Sequence, residues 1–285
     1  MSKLKIALQK SGRLSEKSLD FLTECGINLS NGKRILKTEA KNFPTEVLFL
    51  RDDDIPKYVE QGVADIGFVG ENEVWEKDKK VDVIEKLGFA NCKLSLAIPR
   101  DESYTGLSYF NDKKIATSYP KILAKYFSKK KISIEIEEIS GSVEIGTSVG
   151  LSDAIFDIVS TGSTLLMNGL KEVEVVTQSE AVLVANKNLN KEKQQILEKL
   201  LFRIKAVKNS SENKYILLNA PNKAIPKITS ILPGMKSPTV LPLATKGWSS
   251  IHSVIKEDDF WEIIDQLKDL GAEGILIIPI KKMVL

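Results

Sequence analysis

The chain has 285 residues, of which 42% are hydrophobic and 28% charged, and its formal net charge is +3. This composition is typical of an ordinary globular protein and excludes a wholly disordered chain. The balanced charge gives no reason to expect nucleic acid as a partner, although a local basic patch would suit a phosphorylated small molecule. No apolar run approaches the roughly 18 residues of a membrane span and no apolar leader follows Met1, so we expect a cytoplasmic protein without a membrane partner.

The few cysteine and histidine residues limit the chemistry. The chain has only two cysteines, Cys25 and Cys92, and one histidine, His252. Such small numbers exclude a disulfide framework, a cysteine-based zinc site and a His-His metal site. A Ser-His-Asp triad would have to use His252, and no G-x-S-x-G elbow accompanies it.

The first two thirds of the chain alternate β-like runs with helical patterns. Strands are predicted at residues 4–8, 47–50, 64–70, 114–117 and 132–136, and helices from Ser15, from 53–56 and over 120–127. The rhythm repeats after about residue 95, which predicts two α/β units in series. Ligands of open α/β sheets lie outside the carboxyl ends of strands, so a cleft between two lobes is the default site.

The remaining stretch has a different rhythm. A helix is predicted from Lys191 to about Lys208, followed by a polar linker over 209–213. The order is then β-α-β-β-α-β, which predicts a ferredoxin-like domain. Its strands are predicted at 215–218, 239–243, 249–255 and 274–279, and its helices at 223–232 and 258–270.

The most informative segment is Asp153–Leu165. A short apolar strand ends there at a Ser-Thr-Gly-Ser-Thr loop, and a helix is predicted over 164–168. Unpaired N–H groups at a helix N-terminus bind phosphate, glycine allows close approach, and the hydroxyls add donors. Asp157, placed at the start of the strand, suits ribose hydroxyls, and Asp153 would share a helical face with it. The alternative is that the hydroxyls only cap a helix and Asp157 begins a turn.

This segment resembles, at every defined position, the signature of the ATP phosphoribosyltransferase family. The pattern has ten defined positions over 22 residues: Glu144, Gly150, Ser152, Ile155, Asp157, Ile158, Thr161, Gly162, Thr164 and Leu165. Other stretches similar to the family span the chain: residues 9–14, 51–56, 70–72, 92–97, 116–120, 232–234 and 237–243. The tail beyond residue 210 resembles that of the long form, which carries its own regulatory domain.

The resemblance implies a specific reaction. The adenine N1 of ATP attacks the anomeric carbon of phosphoribosyl pyrophosphate, giving phosphoribosyl-ATP and pyrophosphate as the first step of histidine biosynthesis. It also implies Mg²⁺, carried mainly on substrate oxygens, feedback inhibition by histidine, and a homo-oligomer of dimers that assemble to a hexamer. The implied fold is a two-lobed, periplasmic-binding-protein-like α/β core with an ACT-like tail. No protein nucleophile is required.

The resemblance also assigns roles. For phosphoribosyl pyrophosphate it implies that Thr161, Gly162, Ser163 and Thr164 hold the 5′-phosphate and that Asp157, with Asp153, holds the ribose hydroxyls. For ATP or polyphosphate it indicates Lys10, Gly12, Arg13, Arg51, Glu71, Asn72, Tyr119 and Glu144. For histidine it indicates Pro238, Thr239 and Leu241.

Several of these residues have a simpler interpretation. Lys10 and Arg13 follow the first strand beside Gly12, where they either bind phosphate oxygens or are two exposed cations of a loop. Arg51 either binds polyphosphate or pairs with Asp53. Tyr119 either lines the nucleotide site or packs at a helix start.

The expected organisation has three parts. Residues 1–98 and 179–208 form the first catalytic lobe, 99–178 the second, and 212–285 the regulatory domain. Two-lobed folds also serve solute receptors, so a binding protein is one alternative. The others are a phosphoribosyltransferase for another base, which Phe156 in place of an acid before Asp157 disfavours, and a non-catalytic relative.

Overall fold

The computed structural model describes residues 2–29, 36–160, 162–232 and 234–285. The chain divides into two compact units: Met1–Thr23 with Ile27–Leu197, and Glu24–Gly26 with Glu198–Leu285. No helix in these ranges is both long and apolar enough to cross a membrane.

The first unit is built from two sheets and the helices between their strands. Its strands are β1 (Leu4–Gln9), β2 (Lys37–Glu39), β3 (Thr45–Leu50), β4 (Ile66–Gly70), β5 (Asp82–Lys86), β6 (Cys92–Pro99), β7 (Lys113–Thr117), β8 (Ile134–Glu138), β9 (Ala154–Val159), β10 (Leu170–Ser179) and β11 (Ala181–Ala185). Its helices are α1 (Arg13–Glu24), α2 (Ile55–Glu60), α3 (Glu71–Lys77), α4 (Pro120–Lys130) and α5 (Ser163–Met167). A longer helix, α6 (Lys191–Ser211), leads into the second unit.

The first sheet has the order β2-β3-β1-β4-β11-β5. Strands β3, β1 and β4 run parallel, and β11 returns antiparallel to β4. Every residue of β11 is buried, as are the first four of β4, because helices cover both faces of such a sheet. The carboxyl ends of β1, β3 and β4 therefore meet at one edge.

The second sheet has the order β10-β6-β9-β7-β8, with β7 parallel to β8 and β9. Its core is aromatic: Phe110, Phe127 and Phe156 are at most 1% exposed. The carboxyl ends of β7, β8 and β9 lie at one edge, and the described part of the Ser-Thr-Gly-Ser-Thr loop follows β9 there.

The structure corrects the expected lobe boundary after residue 98. Strand β6 pairs with β9 and β10 in the second sheet, and its Leu94, Leu96 and Ile98 join the aromatic core there. The chain thus crosses to the second sheet before Cys92 and returns at Glu180, between β10 and β11. An apolar run predicts a strand but not the sheet in which the strand pairs.

The second unit contains β12 (Asn213–Pro221), α7 (Ile225–Ile231), β13 (Thr239–Pro242), β14 (Trp248–Lys256), α8 (Glu257–Asp269) and β15 (Glu273–Pro279). The sheet order is β13-β14-β12-β15, and every neighbouring pair is antiparallel. Each helix therefore connects two parallel strands that are separated by a third. This confirms the ferredoxin-like prediction.

The predicted linker over 209–213 is wrong. Helix α6 continues to Ser211 and β12 begins at Asn213. The hydroxyl of Ser210 donates to the carbonyl of Val207 at 2.7 Å, and that of Ser211 donates to the carbonyl of Lys208 at 2.8 Å. Serine bonds of this kind suit the end of a helix as well as a loop, so composition did not distinguish the two.

Candidate active site

Three predicted cations meet at the edge of the first sheet. The parallel register pairs Gln9 with Leu50, and the Lys10 N–H donates to the Leu50 carbonyl at 2.7 Å, so Lys10 and Arg51 follow adjacent strand ends. The turn into α1 passes through Gly12 at φ +96°, a conformation that favours glycine. Arg13 is the first residue of α1, so this helix begins before the predicted Ser15.

These cations are not held in ion pairs within the described chain. Lys10, Arg13 and Arg51 are exposed, and none forms an ion pair with a described residue. Asp53 lies 3.6 Å from the Nζ atom of Lys77, so the predicted alternative of an Arg51–Asp53 pair is wrong. The edge therefore offers three free positive charges to a bound anion.

The phosphate-type loop follows β9 at the edge of the second sheet. Thr161 lies outside the described residues. Gly162 has φ +76° and stands directly before α5, which begins at Ser163, one residue earlier than predicted. Ser163 and Thr164 are exposed in the first turn of this helix. The described part of the loop thus presents two hydroxyls and a glycine to solvent.

Asp157 lies in the second half of β9, not at its start, and is half-buried. Burial raises the pKa of its carboxyl to about 6, an effect that the Ile158 N–H opposes and the charge of Glu144 strengthens. That N–H donates to Oδ1 of Asp157 at 2.7 Å. Glu144, in a short 3₁₀ turn at Val143–Ile145, is therefore close enough to Asp157 to repel it.

Asp153 is not brought to Asp157. It precedes β9, where its carboxylate accepts from the Lys114 N–H at 2.9 Å and from Nζ of Lys113 at 3.2 Å. These two groups lower its pKa. Because the intervening chain is a strand rather than the helix considered above, the Cα atoms of the two residues lie about 13 Å apart. The structure places Asp153 at the opposite edge from the loop.

The carboxyl ends of β4 and β7 approach each other through a buried polar network. Nδ2 of Asn72, in α3, donates to the Tyr119 hydroxyl oxygen at 3.3 Å and to Oε1 of Glu73 at 3.1 Å. The Asn72 N–H donates to Oγ of Ser179 at 3.0 Å, and that hydroxyl donates to Oδ1 of Asn72 at 2.9 Å. Asn72 thereby connects the first sheet, the second sheet and the crossing at the end of β10.

Tyr119 lies among carboxylates from both sheets. Burial, Glu73 and Asp157 raise the pKa of its hydroxyl, with a further effect of Asp52. Burial and Asp52 raise the pKa of Glu73 to about 7, against the hydrogen bond from Tyr119. Tyr119 was predicted either to line the nucleotide site or to pack at a helix start. In the structure it is packed, at 8% exposure, and it also lies beside the cleft.

Sequence reasoning missed Glu73 and chose its neighbour Glu71. On a helix, residues two apart point in directions that differ by about 160°. Glu71 faces Lys86, whose Nζ lies 3.2 Å from its carboxylate, whereas Glu73 is buried beside Tyr119. The sequence Gly70-Glu71-Asn72-Glu73 contains both acids, and only the start of α3 determines which one faces inward.

The residues implicated in effector binding lie on the edge strand β13 of the second unit. Thr239 pairs with His252 and Leu241 with Ser250, while Pro238 directly precedes the strand. Nδ1 of His252 lies 2.7 Å from the Tyr215 hydroxyl. Leu241 is 50% exposed, so this part of the sheet face is accessible in the single chain.

The described residues contain no group of three or more His, Cys, Asp or Glu side chains that could hold a metal ion. The carboxylates near the cleft, Asp52, Asp157 and Glu144, are the oxygen donors that Mg²⁺ prefers. They fit a metal held chiefly by a ligand's own oxygens, not a protein cage.

The fold and these two edges define a two-lobed α/β protein whose cleft carries cations on one edge and hydroxyls on the other. A solved substrate-binding protein of an amino acid ABC transporter has a similar fold at 12% identity, with a TM-score of 0.50 over 74% of this chain and 95% of that chain.

More specific comparisons identify the family. The model described as "HisG: ATP phosphoribosyltransferase" matches residues 51–206, and "HisG, C-terminal domain" matches residues 210–282. The ATP phosphoribosyltransferase of Cytophaga hutchinsonii is 59% identical over 99% of this chain and 98% of its own length. In the Thermotoga maritima structure described as ATP phosphoribosyl transferase (HisG:HisZ) complex, a chain is 31% identical, with a TM-score of 0.59 over 70% of this chain and 98% of that one.

The chain belongs to the ATP phosphoribosyltransferase family, in the long form that carries the C-terminal domain. It is therefore a transferase of histidine biosynthesis.

Proposed function

We propose that this enzyme transfers the phosphoribosyl group of phosphoribosyl pyrophosphate to N1 of the adenine of ATP, releasing pyrophosphate. The observation that supports this most directly is the pairing of two edges across one cleft. One edge carries the uncompensated cations Lys10, Arg13 and Arg51, and the other carries Asp157 beside the glycine loop. The membership in the family makes the two substrates the natural occupants.

The chemistry suits this distribution of charge. The anomeric carbon reacts through a cation-like transition state while a polyanion leaves, so the protein needs to orient both substrates and neutralise pyrophosphate. Lys10, Arg13 and Arg51 would neutralise the polyphosphate groups, since guanidinium forks bind phosphate oxygens in pairs. No side chain has to form a covalent bond.

The second edge would hold the phosphoribosyl group. Gly162, Ser163 and Thr164, with Thr161, would bind the 5′-phosphate, and Asp157 would accept hydrogen bonds from the ribose hydroxyls. The proposal leaves out Asp153, because its carboxylate is held by Lys113 and Lys114 at the opposite end of β9 from the loop.

The adenine would lie on the Tyr119 side of the cleft. Attack by N1 places positive charge on the ring, and the carboxylates of Asp52, Glu73 and Asp157 around Tyr119 would stabilise that charge. Asn72 would position Tyr119 rather than contact the nucleotide, because its side-chain amide already bonds to Tyr119, Glu73 and Ser179.

Magnesium would be held by the pyrophosphate and ribose oxygens, with Asp157 and Glu144 as neighbouring carboxylates. When bound, it would neutralise charge on the pyrophosphate. Histidine would inhibit by binding at Pro238, Thr239 and Leu241, and the family implies assembly of dimers to a hexamer.

The test is direct. The purified protein is mixed with ATP, phosphoribosyl pyrophosphate, Mg²⁺ and a pyrophosphatase, and the absorbance of phosphoribosyl-ATP is followed with and without histidine. We expect product, and less of it with histidine. Product that histidine leaves unchanged would keep the reaction and overturn the role of the tail. No product from folded protein would contradict the proposal and favour a binding or non-catalytic role.

If histidine inhibits, the variant Thr239→Ala with Leu241→Ala tests the effector site. We expect it to raise the histidine concentration for half inhibition at least tenfold with kcat unchanged. The matched control is Ser230→Ala, which removes the hydroxyl of an exposed residue in α7 outside the sheet.

A further inference from the structure

A second anion-binding feature lies in the first unit, on the outer sides of α3 and α4. It is a groove of about 640 Å³ whose lining includes Trp75, Lys79, Lys121, Lys125, Tyr126 and Lys129. None of these residues belongs to the candidate active site. On α3 the buried Asn72, Glu73 and Glu76 face the second sheet, whereas Trp75 faces the groove.

The charged side chains that line the groove are mostly positive. Lys121, Lys125 and Lys129 follow one another at intervals of four, so they share one face of α4. Like charges at this spacing destabilise a helix, and none of the three forms an ion pair with a described residue. Lys79 has only a distant partner, Glu60 at 3.8 Å, and the lining contains one carboxylate, Asp78.

The groove also presents aromatic surface. Trp75 is 38% exposed and Tyr126 is half-buried, and both line the cavity. The volume is in the range of small-molecule sites. Ammonium groups bind phosphates, and aromatic side chains stack on planar rings. A ligand that uses both features carries a planar ring and several negative charges.

We propose that this groove binds a nucleoside polyphosphate at a site separate from the catalytic cleft. The proposal does not depend on the proposed reaction.

Such a ligand would bridge the two sheets of the first unit. Trp75 and Lys79 come from the α3 region beside the first sheet, and the three lysines of α4 belong to the second. The two helices are already joined here, since the carboxylate of Glu76 accepts from the N–H groups of Lys121 and Ile122 at 3.1 and 3.0 Å. Binding would therefore favour one relative position of the lobes and change the rate of a reaction in the cleft.

Trp75 supplies the probe. In a Trp248→Phe, Trp261→Phe background it is the one remaining tryptophan of the chain. Its fluorescence is titrated with GTP, because adenine nucleotides also occupy the proposed catalytic cleft, and is corrected with free N-acetyltryptophanamide. We expect saturable quenching, and at least tenfold weaker binding of inorganic tripolyphosphate, which lacks the ring.

Matched variants locate the binding. Lys125→Ala with Lys129→Ala should weaken GTP binding at least tenfold. The control Lys57→Ala with Lys199→Ala removes the same charge from exposed lysines that do not line the groove, and should leave binding unchanged. Lys10→Ala with Arg13→Ala should also leave it unchanged. Thermal melting checks that each variant folds.

Three results would overturn the proposal. The first is that GTP up to millimolar concentration gives no saturable quenching. The second is that the groove variant and the control variant weaken GTP binding equally. The third is that only Lys10→Ala with Arg13→Ala loses GTP binding. Equal affinity for tripolyphosphate would overturn the assignment to a nucleoside ligand.

Discussion

The two ends of β9 carry the same residue type in opposite electrostatic settings. Asp153, before the strand, is held by Lys113 and Lys114, which lower its pKa. Asp157, near the other end, has a backbone N–H but no cation among its described contacts, and burial with Glu144 raises its pKa to about 6. Two lysines offset the charge of the first carboxylate, whereas no described cation offsets that of the second.

The same contrast separates the cations. Lys113 is paired with Asp153, whereas Lys10, Arg13 and Arg51 at the carboxyl edge of the first sheet have no described partner. Exposed cations without an ion-pair partner remain available to an anionic ligand, and this is why the proposed function places substrate at this edge. Substitutions should therefore affect activity at one set of positions and stability at the other.

The largest expected effect comes from the free cations. Arg13→Ala with Arg51→Ala should lower kcat/KM for phosphoribosyl pyrophosphate about a thousandfold, since donors that neutralise developing charge contribute most to catalysis. The melting temperature should stay unchanged because neither arginine has an ion-pair partner in the described chain.

The matched control is Arg100→Ala. This exposed arginine follows β6, beside the start of β9, and so lies at the opposite edge. A comparable loss of activity in Arg100→Ala would show that activity depends on the net charge of the protein and not on the position of the arginine. It would contradict the contrast between the two edges.

Glu73→Gln tests a carboxyl group that the folded protein keeps uncharged up to near neutral pH. Its pKa is raised from 4.5 to about 7, so the folded state holds its proton through a range in which the unfolded chain loses it. The stabilising contribution of the protonated form is complete below pH 4.5 and is lost as pH rises through 7. At pH 8 the variant should be more stable than the wild type by up to about 3 kcal/mol, and at pH 4.5 the two should match.

Urea unfolding at several pH values measures this difference. A gap between Glu73→Gln and the wild type that does not depend on pH would contradict the assignment. Glu71→Gln is the control, because it makes the same change on the side of α3 that faces Lys86 instead of Tyr119.

Asp153→Asn should have the smallest effect. Its ion pair with Lys113 is partly exposed, and such pairs contribute no more than about 1 kcal/mol. The free energy of unfolding should fall by that amount or less, as measured by urea unfolding at pH 7.5. A loss of several kcal/mol would mean that Asp153 is essential to the fold of the second sheet.

The sequence predicted most of the architecture because the apolar periods are local. The alternation over 213–221 and the helix of 257–269 follow from residues a few positions apart, and with their neighbours they determine the ferredoxin-like order. The membership of β6 in the second sheet depends on distant partners in β9 and β10, and no local pattern contains that information.

The site divides in the same way. The Asp157 segment, Lys10, Arg13 and Arg51 were chosen as candidates because glycines and strand ends mark them in the sequence. Glu73 and Ser179 were missed because their importance comes from contacts with Asn72 and Tyr119, which lie up to 107 residues away. Asp153 was misplaced because a strand was considered as a helix, which changes the distance between residues four apart.

The central claim is that the uncompensated end of β9 binds the substrate and the paired end does not. The most direct measurement is kcat/KM for phosphoribosyl pyrophosphate in Asp157→Asn and Asp153→Asn, assayed side by side with the wild type. The account predicts a loss of at least about a hundredfold for Asp157→Asn, with a melting temperature no lower than that of the wild type, and a change within about twofold for Asp153→Asn. Equal losses in the two variants, or a greater loss in Asp153→Asn, would contradict it.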